Sequence, residues 1–552
     1  MEHRVYGVET EYGLSLETRG QHQLRLDPGM LFSHLERVLL ERYATLEGDS
    51  FGRSPGAERD QIQIREGRFL ESGARFYYDT GHVEWATPEA ASPLQAVLYD
   101  LAGERTLVEL AAAAGFPRGS RLLLVKNNVD YVSGTTYGSH ENYQVERRQG
   151  RRDDDAFFAG MTAQLVPFLV TRQIFCGAGK LGSPDLRAPA GYQISQRADY
   201  IDRIASSGTR GERAIVNTRD ESLGDSSRHR RLHLILGDSN RSPHAALLKL
   251  GSTGLVLRLI EEAVPGKVPE LADPVAALRT VSRDLACTAG LPLRRGGSLT
   301  AIEVQRLYLE RAERLGGGSD AATGQVLAAW RRALDDLACD PTLLADRVDW
   351  ATKLVHLHAP RLARAQTSWR EVGAWSLVFA RLHRGDGRVP EARELTPLQT
   401  ARHQFLIDRH RLRWADYAAQ CRLHFELREL DLRYHDLDPQ HSLFSLLETA
   451  GLVRREMDPA QVAAAQHQPP EDTRARARAE ALRWAHRHGL AGAVLLDWGR
   501  VTLPPPAGMV RLDDPLAAAH PDLTRALTRL GEPAPEAVGG KLGGLLRSWL
   551  GR

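Results

Sequence analysis

The sequence predicts a soluble globular protein with a mixed α+β fold, and three observations support this. Residues 4–16 alternate apolar and polar side chains with period two, which is typical of a half-buried strand. Residues 92–114 are rich in Ala and Leu, which favours a long helix. Hydrophobic residues make up 42% of the chain and charged residues 26%, a balance that argues against a disordered chain.

The length, charge and cysteine content of the chain limit the kinds of protein that it can be. A chain of 552 residues is long enough for two to four domains, or for one large domain with a smaller one attached. The 72 basic and 70 acidic residues leave a net charge of +2, which gives no reason to expect binding to nucleic acid or an anionic membrane. The 4 cysteines form no CxxC pair, which favours reduced thiols in the cytoplasm. With no apolar N-terminal segment and no run of about 20 apolar residues, we expect no secretion signal and no membrane span.

Local composition predicts the remaining elements of the N-terminal part. Residues 46–66 are polar and Gly-rich, which predicts a mobile loop. The turn CGAGKLG is excluded as a P-loop, since Ile174 stands where a Walker A motif has its first Gly. By the same criteria we predict a helix at 30–44, a strand at 73–79 and helices at 92–114 and 155–175.

The rest of the chain is predicted to be mainly helical. Thr300 and Glu303 form a capping box, which predicts that a helix starts there. Residues 320–430 form a helical region. The other predicted elements are strands at 213–217, 231–237 and 493–498 and helices at 243–264 and 273–284.

Two carboxylates share the polar face of the first predicted strand. Glu9 and Glu11 are two residues apart, so both side chains point the same way. Paired carboxylates supply the hard oxygen ligands that Mg²⁺ prefers. A solvated strand face is the structural alternative.

The strand that ends near residue 79 carries a second polar group. His82 and Glu84 share a face, and Asp79 precedes the turn at Gly81. An Asp at this position could act as a nucleophile or a general base. The alternative is a turn Asp followed by a paired surface acid.

Residues 126–144 form a long polar segment directly after the apolar run 122–125. His140 and Asn142 alternate with Glu141 and Tyr143, so we expect one pair to face a site and the other a core. Such a concentration of polar groups after a strand is costly unless the groups are paired or bind something. A single His is nevertheless more often structural than a ligand.

A fourth polar strand face lies at 231–237. Leu232, Leu234 and Leu236 occupy the apolar face, so Arg231 and His233 point the other way. Arg and His together suit a phosphate and a metal ion, although an Arg-rich surface strand is the alternative. Metal-bound ATP on a concave sheet would give all four polar faces one shared explanation.

Several segments resemble the family of Pup ligases and Pup deamidases or depupylases, which attach or remove the small protein tag Pup. The segments are GVETEYG, YYDTGHVEW, KNNVDYVSGTTYGSHENY, IVNTRDES and RRLHLILGDSN. The resemblance implies a glutamine synthetase-like fold with a curved, mostly antiparallel sheet flanked by helices. It also implies a catalytic domain at 1–435, which binds ATP and Mg²⁺, and a smaller C-terminal domain at 436–552.

The resemblance also implies roles for individual residues. Asp79 would be the catalytic residue, and Arg219 and Arg231 would contact the nucleotide. The implied metal residues are Glu9, Glu11, Glu84, His140 and His233. The implied supporting residues are Asn127, Asn128, Tyr137, Glu141 and Asn142.

The branch of the family is predicted from finer features. The five-residue spacing from Asp79 to Glu84 and the wording GSHENY resemble the depupylase, whereas the short 46–66 loop departs from it. We therefore predict an ATP-dependent amidohydrolase acting on a Pup-like tag, by deamidation of a terminal Gln or isopeptide cleavage. The alternatives are a Pup–protein ligase that works through an acyl phosphate, a phosphotransferase with another acceptor, and a nucleotide-binding scaffold without activity. The expected partners are the tag and tagged proteins, and we expect a monomer.

Overall fold

The structure is a computed structural model, and its strands define the architecture. It describes residues 4–18, 21–24, 27–48, 65–79, 81–131, 134–148, 150–182, 190–208, 211–220, 223–316, 320–373, 401 and 414–531. The strands are β1 (Tyr6–Thr18), β2 (Gln21–Leu24), β3 (Thr45–Glu47), β4 (Arg65–Leu70), β5 (Arg75–Asp79), β6 (His82–Ala86), β7 (Ser120–Val125), β8 (Ser139–Glu146), β9 (Lys180–Leu181), β10 (Tyr192–Gln193), β11 (Arg203–Ser206), β12 (Ala214–Asn217), β13 (His229–Leu234), β14 (Leu291–Pro292), β15 (Ser298–Leu299), β16 (Leu495–Asp497), β17 (Arg500–Thr502) and β18 (Met509–Arg511).

A single large sheet organises the described residues. Its order is β11-β12-β13-β8-β1-β6-β5-β4-β3, and β2 and β7 pair with the far half of β1. The pairs are antiparallel except β11 with β12, which is parallel. This is the mostly antiparallel sheet with flanking helices that the resemblance implied.

Helices cover one face of this sheet and build the C-terminal part. They are α1 (Pro28–Arg42), α2 (Pro93–Ala113), α3 (Arg151–Thr171), α4 (Gln173–Cys176), α5 (Pro243–Glu261), α6 (Pro274–Arg283), α7 (Ala301–Gly316), α8 (Ala321–Cys339), α9 (Asp349–Thr352), α10 (Ala359–Ala365), α11 (Trp414–Tyr434), α12 (Leu443–Thr449), α13 (Pro459–Ala465), α14 (Ala475–Arg487) and α15 (Pro521–Gly531), with a π-helical turn at Lys353–His358. Within the described part of the chain, none of these helices combines the length and apolar character needed to cross a membrane.

Strand β1 lies at the centre of the sheet because one of its faces is almost wholly apolar. Tyr6, Val8 and Tyr12 are buried against the helices, as the period-two pattern predicted. The helices come closest to the sheet at positions occupied by Gly. At Gly103 of α2, an added Cβ would collide with the Trp85 indole of β6. The apolar face is therefore sealed, and the opposite face of the same strands is left to polar side chains.

The predicted elements are confirmed over most of the chain. The helices predicted at 30–44, 92–114 and 243–264 correspond to α1, α2 and α5, and the Thr300–Glu303 capping box is formed. The mobile loop predicted at 46–66 is wrong at both ends, which belong to β3 and β4. Its ends form strands because Leu46 is buried against C-terminal residues that a local pattern cannot reveal. Residues 49–64 lie outside the described part, as do 374–400 and 402–413 of the helical region predicted at 320–430.

The C-terminal part has a core of its own that reaches back to the edge of the main sheet. Residues from α14, β16, β17 and α15 pack with Leu46 of β3 and Phe69 of β4. Residues immediately after the proposed boundary at 435/436 belong with the main sheet, since the Leu437 N–H donates to the Leu124 carbonyl of β7. The division into two domains at that boundary stays a prediction.

Candidate active site

The register of the central strands places the polar residues of four segments on one face. Residues directly opposite each other in an antiparallel pair share a face. In this sheet, Glu9 lies opposite His140, and Glu11 lies opposite Glu84. On the neighbouring strand, His233 lies opposite Asn142. The five predicted metal residues are therefore brought together on the sheet face that the helices leave uncovered.

Glu9, His140 and His233 form the centre of the cluster. One ligand atom from each lies within 4.8 Å of the other two. The Glu9 carboxylate is 3.2 Å from Nδ1 of His140, and the two imidazole rings meet edge to face at 4.9 Å. Tyr77 donates its hydroxyl to Glu9 from β5. Three strands thus hold one carboxylate and two imidazoles at metal-binding separations.

Glu11 connects this centre to the other side of the cluster. Its carboxylate lies 3.3 Å from Nδ1 of His82 and 3.7 Å from Nε2 of His140. The Gly138 N–H donates to the same carboxylate at 2.7 Å. Gly138 carries no side chain here for a steric reason, since an added Cβ would collide with His140 and lie 2.6 Å from Glu11 Oε1.

The acids of the cluster have opposed electrostatic environments. Burial raises the pKa of Glu84 well above its usual value, and the nearby charges of Glu11, Glu9 and Asp79 raise it further. Burial also tends to raise the pKa of Glu9, but His140, through its hydrogen bond and its charge, lowers it below the usual range. Glu84 therefore lies in a site that is too negative for it to ionise easily.

This donor set fits a hard divalent cation. Three carboxylates converge at one place, and burial with the positive charges of Arg231 and His140 lowers the pKa of His233, which keeps its imidazole neutral. Nε2 of His233 is buried and makes no hydrogen bond within the described part of the chain. Carboxylate oxygens are the ligands that Mg²⁺ prefers, and a cation would relieve the repulsion that raises the pKa of Glu84.

Asp79 lies at the rim of the cluster. It ends β5 and pairs across the turn with His82 of β6, on the same face as Glu84. Gly81 in that turn has a φ of +103°, a conformation that Gly adopts without strain. The Asp79 carboxyl is close enough to Glu84 for its charge to raise the pKa of that acid. The hairpin therefore holds Asp79 beside the candidate metal ligands.

The two predicted nucleotide-binding arginines occupy different positions. Arg231 lies on β13, donates from Nε to Asn142 at 2.7 Å, and approaches Glu9 to 4.0 Å. Arg219 is exposed just beyond the end of β12, where its positive charge contributes to the lowered pKa of His233. One guanidinium is thus fixed at the cluster, and the other lies at its outer side.

Three of the predicted supporting residues, Asn127, Asn128 and Tyr137, belong to the segment between β7 and β8. Asn128 braces the segment before β8, since its Nδ2 donates to the Tyr137 carbonyl at 3.1 Å and to Ser239 at 3.0 Å. Asn127 is buried and donates to the Val129 carbonyl, so it stabilises the same turn. Tyr137 places its ring edge against His82 at 5.0 Å.

Glu141 requires a correction, because it does not face the cluster. It is fully buried on the helix side of β8, where Arg172 donates two hydrogen bonds to it, at 2.5 and 2.8 Å. The alternation of Glu141 with His140 had predicted that one of them would face a core, and Glu141 is that residue.

Three residues at the site were absent from the predicted set. His82 and Tyr77 contact Glu11 and Glu9, and both lie on the site face by period two from Glu84 and Asp79. Arg197 comes from an irregular segment and is 2% exposed near Glu11. The alternation could have revealed the first two, whereas Arg197 lies on no predicted strand face.

Comparison with known sequences places the chain among enzymes of the Pup system. A family model described as Pup-ligase protein matches residues 4–394 and 402–502. A Pup–protein ligase from Acidimicrobium ferrooxidans is 36% identical over 541 residues, covering 96% of this chain and 99% of that protein. A depupylase from Acidothermus cellulolyticus is 34% identical over 510 residues, covering 87% and 88%.

Solved structures agree with the sequence matches. The complex of Pup with its ligase PafA matches with a TM-score of 0.72 and 27% identity, covering 96% of this chain and 92% of that chain. The Pup ligase PafA in complex with ADP matches with a TM-score of 0.65 and 27% identity, covering 93% and 96%. These matches extend across both the sheet that carries the cluster and the C-terminal part.

Proposed function

The chain belongs to the Pup-ligase protein family, and we propose that it is an ATP- and Mg²⁺-dependent ligase for a Pup-like protein tag. The carrying observation is the position of Asp79 beside a cluster of three carboxylates and two histidines on the open face of the sheet. The ligase in complex with ADP and the ligase in complex with Pup, both similar in fold, support the nucleotide and the tag. We propose that it acts on cytoplasmic proteins as a monomer.

The proposed reaction joins a carboxylate to an amine in two steps. The terminal γ-carboxylate of the tag attacks the γ-phosphate of ATP, which forms an acyl phosphate and releases ADP. A lysine amine of the target then attacks the acyl carbon, inorganic phosphate leaves, and the amine loses a proton. In this scheme Asp79 accepts that proton, as a general base at the rim of the cluster.

The residues of the cluster have distinct roles in the proposal. Glu9, Glu11 and Glu84 would hold Mg²⁺, with His140 and His233 beside them, and the ion would neutralise charge that develops on the phosphates. Arg231 is fixed by Asn142 and would bind a phosphate oxygen through its guanidinium. Arg219, at the outer side of the cluster, would contact the nucleotide as it enters.

A depupylase remains the second candidate, and it was the function first predicted from the sequence. A depupylase relative at 34% identity and the five-residue spacing from Asp79 to Glu84 favour it. Three Pup–protein ligases match at 34–36% identity over almost the whole chain, and the two solved structures described above are of a ligase. The weight of similarity therefore favours attachment of the tag.

One experiment separates the two candidates. The purified protein is incubated with ATP, Mg²⁺, a target protein and a Pup tag that ends in Glu or in Gln, and ADP and conjugate are both quantified. The ligase predicts one ADP per conjugate with the Glu-terminated tag. Loss of ammonia from the Gln-terminated tag, or cleavage of a preformed conjugate with little ADP formed, would instead establish the depupylase. Steady transfer of phosphate to another acceptor without either product would contradict both.

A further inference from the structure

Arg197 occupies an unusual position for a buried cation. Its side chain is enclosed and donates four hydrogen bonds, none of them to a carboxylate. Two go to the Ile235 carbonyl at 2.8 and 3.2 Å, and Nη1 donates to the Thr136 hydroxyl and the Tyr137 carbonyl, each at 2.8 Å. A buried charge is costly unless something nearby compensates it.

The carboxylate that does most to stabilise the buried charge of Arg197 belongs to the candidate active site. Burial lowers the pKa of Arg197 to about 10, and Glu11 is the carboxylate that most opposes this shift. Glu11 is also the acid that bridges the two halves of the cluster, through His82 and His140. The positive charge of Arg197 therefore acts on the acid that links the two halves of the cluster.

The main chain of Arg197 is held as firmly as its side chain. Asp238 is buried and accepts hydrogen bonds from the N–H groups of Ala178, Gln196 and Arg197 and from the Ser195 hydroxyl, at 2.7 to 3.1 Å. These bonds fix the segment 195–197 against the end of β13. The guanidinium consequently projects from a rigid base.

From this base Arg197 acts on the residues just before β8. The Tyr137 carbonyl accepts from both Arg197 and Asn128, and the Tyr137 N–H donates to the Asn128 carbonyl, so this residue is held on both sides. The next residue, Gly138, donates its N–H to the Glu11 carboxylate and accepts from the Glu11 N–H at 3.1 Å. The tie from Arg197 to Glu11 thus passes through a single peptide.

We propose that Arg197 is a positioning residue, which clamps residues 136–138 so that the Gly138 N–H orients the Glu11 carboxylate for a divalent cation. The inference rests on the proposed function only for the presence of that cation. Residues that orient metal ligands from outside the coordination sphere typically change metal affinity by about 10- to 100-fold when they are replaced.

The test measures metal binding directly, without catalysis. Mn²⁺ serves as the probe, because its free and bound forms are distinguished by electron paramagnetic resonance. The variants are Arg197→Lys, which keeps the charge but not the four hydrogen bonds, and Thr136→Val, which removes the hydroxyl that accepts from Arg197 and donates to the Asn128 carbonyl. Arg478→Lys is the control, since Arg478 is equally buried but pairs with Glu89 beside the C-terminal core.

We expect Arg197→Lys to raise the Kd for Mn²⁺ about 10-fold or more and to speed amide hydrogen exchange in peptides that cover 134–140. Thr136→Val should raise the Kd about fivefold or more, since a single lost hydrogen bond has an effect of about that size and this change removes two. Arg478→Lys should leave both readouts unchanged. In a Glu11→Gln background, Arg197→Lys should add little, since its effect is exerted through Glu11.

The possible results distinguish failure of the positioning role of Arg197 from failure of the cation site itself. Unchanged Mn²⁺ affinity in folded Arg197→Lys and Thr136→Val, with normal binding by the wild type, would overturn the positioning role alone. The same conclusion would follow if Arg197→Lys changed the Kd for Mn²⁺ by the same factor in the Glu11→Gln protein as in the wild type. Failure of the wild-type protein to bind Mn²⁺ with or without ADP would overturn the cation site and, with it, this inference.

Discussion

His140 and Glu141 are neighbours on β8, yet they belong to regions with opposite electrostatic design. On the helix side, Glu141 receives two hydrogen bonds from Arg172 and one from Tyr143 at 2.6 Å. On the open side, Glu9 accepts from the Tyr77 hydroxyl and lies 3.2 Å from His140, while the Arg231 guanidinium is 4.0 Å away.

The difference teaches how to distinguish structural from functional buried charge. A carboxylate whose hydrogen-bonding capacity is filled by a buried Arg has no capacity left for a ligand, and Lys126 with Asp100 and Glu104 repeats this arrangement under β7. On the open face, by contrast, the charges of Glu11 and Glu9 add to burial in raising the pKa of Glu84, and a bound cation would relieve that repulsion. Replacements on the open face should therefore affect activity, and those on the helix side should affect stability.

Replacement of Asp79 gives the largest expected effect on activity. Asp79→Asn keeps the size of the side chain but cannot accept the proton of the incoming amine, so conjugate formation should fall by about 10²- to 10⁴-fold. Gel-based quantification of conjugate over time measures this. Glu146→Gln is a matched control, since Glu146 is an exposed acid at the far end of the same face of β8. Normal turnover by Asp79→Asn at saturating ATP would refute the assigned role.

Glu141→Gln should give the largest loss of stability. It leaves Arg172 buried without a counter-charge, which typically costs about 3–5 kcal/mol. Burial tends to raise the pKa of Glu141, but Arg172 holds it below the usual value. The contribution of the pair is therefore complete above the unfolded-state pKa of about 4.5 and is lost as the pH falls through the lower folded-state value.

Urea unfolding of wild type and Glu141→Gln between pH 4 and pH 7 measures this difference. The gap in unfolding free energy should stay constant from pH 7 to about pH 5 and should begin to shrink as the pH falls below the unfolded-state pKa of about 4.5. The half-saturating Mg²⁺ concentration for activity should not change. A shift in that concentration, without loss of stability, would place Glu141 functionally with the open face.

Gly138→Ala should show the opposite pattern to Glu141→Gln. The three atoms nearest to the added Cβ belong to the side chains of His140 and Glu11, so we expect these side chains to turn away while the backbone stays in place. Displacement of catalytic groups by about 1 Å can cost about 10²-fold in rate, so we expect a 10- to 100-fold loss of activity with little change in melting temperature. Gly7→Ala on the same face is the control, because its Cβ would lie 3.6 Å from that of Asn142. Equal activity of the two variants would show that the cluster tolerates displacement.

The sequence predicts which side chains share a face of a strand better than it predicts which strands lie next to each other. Alternation in β1 correctly assigned Tyr6 and Val8 to the core and Glu9 and Glu11 to the other face. The strand at Leu46 was missed because its burial depends on residues more than 400 positions away in the chain. Period two is local information, whereas strand pairing is set by contacts distant in sequence.

The same limit explains which site residues were missed. His82 shares a face with Glu84 by alternation, but its partner Glu11 is known only once β1 and β6 are paired. Glu141 was assigned to the site because the resemblance names residues without saying which face they occupy. Arg197 follows no period at all, and its contacts with residues 136, 137 and 235 are purely tertiary.

Glu84→Gln gives the smallest expected effect and the most informative sign. Glu84 lies directly opposite Glu11 across β1 and β6, where burial and the charges of Glu11 and Glu9 raise its pKa well above the usual value. At neutral pH, folding must therefore keep this acid protonated or hold its charge beside theirs, and either costs free energy that Gln does not. In EDTA the variant should therefore be slightly more stable than the wild type, although most replacements of buried residues destabilise. Adding Mg²⁺ with ADP should reverse the order, because the wild type then gains more binding energy than the variant. Thermal melting of both proteins in the two buffers measures this, with Glu146→Gln unchanged in each. If Glu84→Gln were the less stable protein in EDTA, the open face would be internally compensated like the helix side, and the distinction between the two faces would fail.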